Sequence, residues 1–175
     1  MRTGVRARGS VSEKSSEDIL KNLQKIEHDR FGLKIYNITT RRMIMADLKE
    51  LYQSADWKVE KHVPVIDAPD KIKKGETVKV SASVGKNIAH PNTTEHHIRW
   101  IELYFLADGE KFPYQLARFE FNTHGESAQG PNTSTVYVNP EAAVSLKTDK
   151  SGAILASSYC NIHGLWKSSK ELKAE

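Results

Sequence analysis

From Trp57 to the C-terminus apolar residues tend to recur at every second position, in short runs broken by turn-forming residues. Successive side chains of a strand point to opposite faces, so such segments hide their apolar side by packing sheet against sheet. Candidate strands are Thr77–Val84, His97–Leu106, Tyr114–Asn122, Ser134–Val138, Ala143–Thr148 and Ala153–Tyr159. Between them lie Ala89-His90-Pro91-Asn92, Asp108-Gly109, Gly130-Pro131-Asn132 and Lys150-Ser151-Gly152, all turn chemistry. Six or seven short strands with this punctuation predict an all-β fold, an immunoglobulin-like antiparallel β-sandwich.

The first part of the chain reads differently. Residues 1–14 show no apolar periodicity and are expected to be disordered. Ser15 or Ser16 then fits a helix N-cap, with Glu17 and Asp18 in the first turn, Ile19, Leu23 and Ile26 at helical spacing, and Gly32 as a stop. Leu33 to Ile38 is β-like, and Met45 to Tyr52 fits another helical turn or two. The expected organisation is a short, partly helical and partly disordered extension over 1–45, followed by a β-sandwich domain over 46–175.

Charge divides along the same line. The formal net charge is +4, but residues 1–50 carry eleven Lys and Arg against seven Asp and Glu, while residues 51–175 carry fifteen of each. The basic excess belongs to the extension, which argues against nucleic acid as a partner of the body. No apolar run approaches the roughly 20 residues of a membrane helix. Met1 to Ser16 is basic without an apolar stretch behind it, and Arg41-Arg42 precedes only a short apolar patch, so the expected location is cytoplasmic.

The residues that carry chemistry are few. Cys160 is the single cysteine, which rules out an internal disulfide and a four-cysteine metal site. His62 lies in Glu60-Lys61-His62-Val63-Pro64, His90 and His96 in the segment His90 to His97, and His163 three residues after Cys160, followed by Gly164. Taken alone, Cys160 and His163 read sooner as a buried thiol beside a surface imidazole than as metal ligands, and the His90–His97 segment sooner as a polar surface loop. On a regular strand His97 faces away from His96, so the two do not both serve one ion. His124 reads as a structural or surface residue, and His28 as a surface one. Together the loops supply four imidazoles and one thiolate, too many nitrogen donors for a tetrahedral structural zinc site. Five protein ligands suit a square-pyramidal iron with one open position.

The segments EKHVP (60–64), HPNTTEHH (90–97) and CNIHGLW (160–166), in this order, resemble those of the superoxide reductases. From about Leu51 onward the chain is similar to the single-iron members called neelaredoxins, with FPY (112–114) and GPNTS (130–134) adding to the likeness. The resemblance implies that His62, His90, His96 and His163 are equatorial imidazoles around one iron (Fe2+/Fe3+) and that Cys160 is the axial thiolate. It implies that Glu60 is the carboxylate closing on the sixth position in the oxidised state, and that Lys61 is a cation at the open face. The cysteines of the rubredoxin-like module that precedes two-iron members are absent, and residues 1–45 have no counterpart in the family pattern.

The implied activity is the one-electron reduction of superoxide to hydrogen peroxide. The implied partners are superoxide, a small electron donor such as rubredoxin, and further copies of the chain in a homo-tetramer. Backbone amides of Asn161, Ile162 or His163 are candidate donors to the Cys160 sulfur, and Trp166 either shields the thiolate or is simply core. The alternative is a cupredoxin-like electron-transfer metalloprotein, also a β-sandwich with a late Cys and His. Blue-copper sites usually add an axial methionine, and here Met1, Met43 and Met45 all lie far from Cys160 in sequence.

Overall fold

The structure, a computed structural model, describes residues 47–175. The helix expected from Ser15 or Ser16 and the β-like stretch at Leu33–Ile38 lie outside the described residues. Asp47 caps a single helical turn, α1 (Leu48–Leu51), its carboxylate accepting from the Lys49 amide at 3.1 Å. Eight strands follow: β1 (Val65–Asp67), β2 (Lys71–Ile72), β3 (Thr77–Ser83), β4 (Ile98–Ala107), β5 (Tyr114–Glu120), β6 (Glu141–Lys147), β7 (Gly152–Cys160) and β8 (Gly164–Ala174). They form a three-stranded sheet in the order β1-β3-β6 and a five-stranded sheet in the order β2-β8-β7-β4-β5, packed as a sandwich. All pairings are antiparallel except the short β2–β8 contact.

Alternation builds the core. On β4, Ile101, Leu103 and Phe105 point inward and meet Ile154 and Ala156 of β7; from the other sheet come Val80 and Ala82 of β3 and Ala142 and Leu146 of β6. Ile101, Leu103, Val80 and Ile154 are completely excluded from solvent, and each such side chain contributes roughly 1.5–3 kcal/mol by its burial.

Two expectations are corrected. Ser134–Val138 is not a strand. Tyr137 makes only an isolated bridge to His124, and Val136, Tyr137 and Val138 are exposed, so the apolar run has no sheet to join. Conversely β8, the longest strand, was not anticipated. Its exposed positions are Lys167, Ser169, Glu171 and Lys173, and only Trp166 and Leu172 are buried, so the apolar signal is thin. Pairing with β7 along its whole length makes it a strand.

The register of β4 and β7 positions the site. Ile98 pairs with Cys160 but Trp100 with Tyr159, so β4 carries one extra residue as it leaves the His-rich loop. Such bulges bend and twist a strand and re-aim its side chains. The loop before β4 and the turn after β7 thus meet at one pole of the sandwich.

Candidate metal centre

Three segments converge at that pole. The first is the turn before β1, which ends in His62, Val63 and Pro64, all buried. Ser158 of β7 donates to the His62 carbonyl at 3.4 Å, and the Ser168 hydroxyl of β8 donates to the Pro64 carbonyl. The second is the loop from His90 to His97. The third is the β7–β8 turn, Cys160 to Gly164, where Gly164 takes φ +76, a left-handed conformation that suits glycine. Gln53 ties this turn down: its side-chain amide donates to the His163 carbonyl at 2.8 Å, and its backbone pairs beside Trp166.

Each of His62, His96, Cys160 and His163 offers a donor atom, and these atoms lie within 4.8 Å of one another. His163 Nδ1 is 3.6 Å from Cys160 Sγ and 3.2 Å from His96 Nε2. His90 closes the ring of imidazoles, with its centroid 4.8 Å from that of His62 and 4.7 Å from that of His96. Cys160 is fully buried, so the thiol side is sealed, whereas His163 is exposed. Trp166, 93% buried, stacks on His62 with centroids 5.1 Å apart, so it packs against a ring of the site.

The hydrogen bonds decide which nitrogens face inward. His62 Nδ1 lies 2.5 Å from Glu60 Oε1, and His90 Nδ1 lies 2.6 Å from the Pro91 carbonyl. Both acceptors require an Nδ1–H, which leaves a lone pair on each Nε2. Those two Nε2 atoms are buried with no partner among the described residues, a costly state unless something accepts the lone pairs. A metal ion does so, and an outward ring N–H bonded to carboxylate or carbonyl is the usual support of a ligating histidine. Imidazoles with one thiolate suit a transition metal of borderline softness. The residues present therefore fit a metal.

Electrostatics agrees. Burial pushes the His90 imidazole down to about 4, against the pull of the Pro91 carbonyl, and the charges of His62, His96 and Lys61 add to the shift. Burial first and the His163 charge second lower His96. For the Glu60–His62 pair both groups move down. Burial raises Glu60 but the hydrogen bonds from His62 outweigh it; burial lowers His62 and outweighs Glu60. The two shifts describe one state, a carboxylate anion accepting from a neutral imidazole. Lys61 is half-buried beside this cluster and makes no ion pair among the described residues.

His97 turns the other way, as strand alternation implies. Its ring stacks on buried His124 at 3.7 Å and 9°, and its Nδ1 lies 2.9 Å from the Thr93 carbonyl. His124 is a packing residue, with Nδ1 2.8 Å from Asn92 Oδ1 and Nε2 2.8 Å from the Phe121 carbonyl. His28 lies outside the described residues. The Asn161 amide does not serve the sulfur: it donates to the His97 carbonyl at 3.1 Å. Sequence reasoning also missed Gln53 and Ser158, which touch only backbone here and carry no motif.

The chain is similar to known proteins. The desulfoferrodoxin family model matches residues 54–169. A superoxide reductase from Pyrococcus furiosus is 59% identical over 126 residues, which is 72% of this chain and 99% of that protein. A neelaredoxin from Megalodesulfovibrio gigas is 54% identical over 121 residues, 69% of this chain and 93% of its own. The solved structure of a superoxide reductase (neelaredoxin) from Archaeoglobus fulgidus in the reduced form is similar with a TM-score of 0.66 at 57% identity, covering 70% of this chain and 98% of that one.

Proposed function

The chain belongs to the desulfoferrodoxin family and is a superoxide reductase, and we propose that it works at one mononuclear non-haem iron per chain. The proposed ligand atoms are Nε2 of His62, His90 and His96, Nδ1 of His163 and Sγ of Cys160. The observation that carries this reading is the pair of buried Nε2 atoms, without partners among the described residues, beside a sealed thiol. When bound, iron supplies the electron that superoxide takes up with two protons to give hydrogen peroxide.

The chain's own residues set the conditions. Four neutral imidazoles add no negative charge that would repel the anion, and the Cys160 thiolate is the one anionic donor. Lys61 adds a positive charge near the imidazoles, which attracts superoxide and raises its encounter rate. Glu60 holds His62 through Nδ1, and closing on the open face would be its second role. The domain proposed to carry the activity is 46–175, with 1–45 as an appendage.

For the electron donor we propose a small carrier of the rubredoxin kind. Val59, Ile88 and Ile162, each within three residues of a proposed ligand, are exposed and support apolar docking there. A homo-tetramer is proposed for the assembly, supported by β5 and β6, which stand as edge strands of their sheets. The test is metal analysis with a visible spectrum and a superoxide assay on the purified full chain. Iron at one per chain with a thiolate-to-ferric band in the red is expected; an intense copper–thiolate blue, or protein that never takes up iron, would overturn the proposal.

A further inference from the structure

The proposed ligands come from separate segments, and something must hold the His90–His97 loop in register with the Cys160–His163 turn. His62 and His90 are oriented through their own Nδ1 atoms, by Glu60 and the Pro91 carbonyl. His96 has no such partner on Nδ1 among the described residues, and its ring is not fully buried. Its direction is therefore set by its backbone.

That backbone is gripped by a residue sixty-five positions later. Asn161 Nδ2 donates to the Glu95 carbonyl at 2.8 Å, and Asn161 Oδ1 accepts from the His97 amide at 2.8 Å. These two groups belong to the peptide units immediately before and after His96. The Asn161 backbone amide adds a third bond, to the His97 carbonyl at 3.1 Å. Thr93 closes the loop locally, donating from its amide to the His96 carbonyl at 3.0 Å and accepting from the His96 amide at 3.1 Å, whereas Asn161 ties the backbone around His96 to the segment that carries Cys160 and His163.

We propose that Asn161 is a positioning residue for His96: its carboxamide clasps both peptide units flanking that histidine and fixes the imidazole relative to Cys160 and His163. The chemistry demands a carboxamide. It alone presents a donor and an acceptor on one planar head at this reach; an aspartate would turn an oxygen toward the Glu95 carbonyl, and a glutamine would place the same head one methylene too far.

The inference rests on the ligand assignment above. The test is the rate at which iron-loaded full-length protein surrenders iron to excess bipyridyl chelator, with the thiolate charge-transfer band recorded before release. Outer partners of ligating residues are worth about 10–100-fold in metal affinity, so Asn161→Ala should release iron faster by about that factor and shift the band. In a His96→Ala background, the same change should add little, because the clasp acts through His96. Asn161→Asp, isosteric and still able to accept from the His97 amide, should also release faster and serves where the alanine variant does not fold. Wild-type release from either Asn161 variant, or an undiminished effect in the His96→Ala background, overturns the clasp. If His96→Ala itself releases iron at the wild-type rate, the ligand assignment falls and the clasp with it; if His96→Ala releases faster while the Asn161 variants do not, the clasp alone falls.

Discussion

Gly85 sits against the backbone of a proposed ligand, and substituting it separates two costs that usually arrive together. Its φ is +86, and a Cβ built there would stand 2.7 Å from the His90 nitrogen and 3.3 Å from His90 Cβ. A side chain with Cβ costs about 1–2 kcal/mol in the left-handed region. The clash adds to this, because a backbone nitrogen cannot swing aside. To regain ordinary contact at 3.4 Å, His90 must recede by roughly 0.7 Å, several times the ~0.2 Å tolerance of a metal–ligand distance. Gly109 is the control: its φ is +80, but a Cβ there meets nothing within 4 Å. Gly109→Ala should lower the melting temperature by about 3–6 °C per kcal/mol of strain and leave iron release unchanged. Gly85→Ala should melt lower still and release iron at least about tenfold faster. Calorimetry with a chelator competition reads both quantities. Equal effects from the two variants would refute the claim that the Gly85–His90 approach shapes the site.

Cys160→Ser should give folded protein without the red thiolate band and without turnover, at a stability cost of about 1–3 kcal/mol for a poorly satisfied buried hydroxyl; a persisting band would show that the thiol is not the chromophore's ligand. Lys61→Ala should slow the reaction with superoxide, flatten its dependence on ionic strength, since exposed charges are screened over about 8–10 Å in physiological salt, and retain iron; stopped-flow kinetics across a salt series tests this, and iron loss would reassign Lys61. The metal-free protein should lose stability on acidification. His90 has its folded value near 4 against an ordinary 6.5, and His62 and His96 move the same way. The folded state therefore binds fewer protons, stability is full above about pH 6.5, and it declines as pH falls toward about 4. A melting temperature flat across that window would contradict the burial of these rings.

Much of the fold was legible because period-two burial is a local signal. β3, β4, β5, β6 and β7 fall within two residues of where alternation puts their ends. β8 escaped because a strand paired along one whole edge needs few apolar residues of its own, and the Val136–Val138 run misled because its apolar side chains face water. At the site, the motif residues around Cys160 could be named from the sequence, and the structure draws His62, His96, Cys160 and His163 together. The supporting bonds could not be. Asn161 to Glu95 and His97, Gln53 to His163 and Ser158 to His62 span 66, 64, 110 and 96 positions, and they involve residue types common in any turn or strand.

The direction of the strands has a practical side. β7 enters from the Lys150-Ser151 turn and ends at Cys160, while β4 leaves the His-rich loop and ends near Asp108-Gly109, where the Asp108 amide bonds the Ser151 carbonyl. Nine residues of extended chain, roughly 30 Å, separate those two turns from the chemistry. A tag or a grafted peptide spliced in at Gly109 would hang from the far end of the sandwich, with the length of its strands between it and the proposed metal centre.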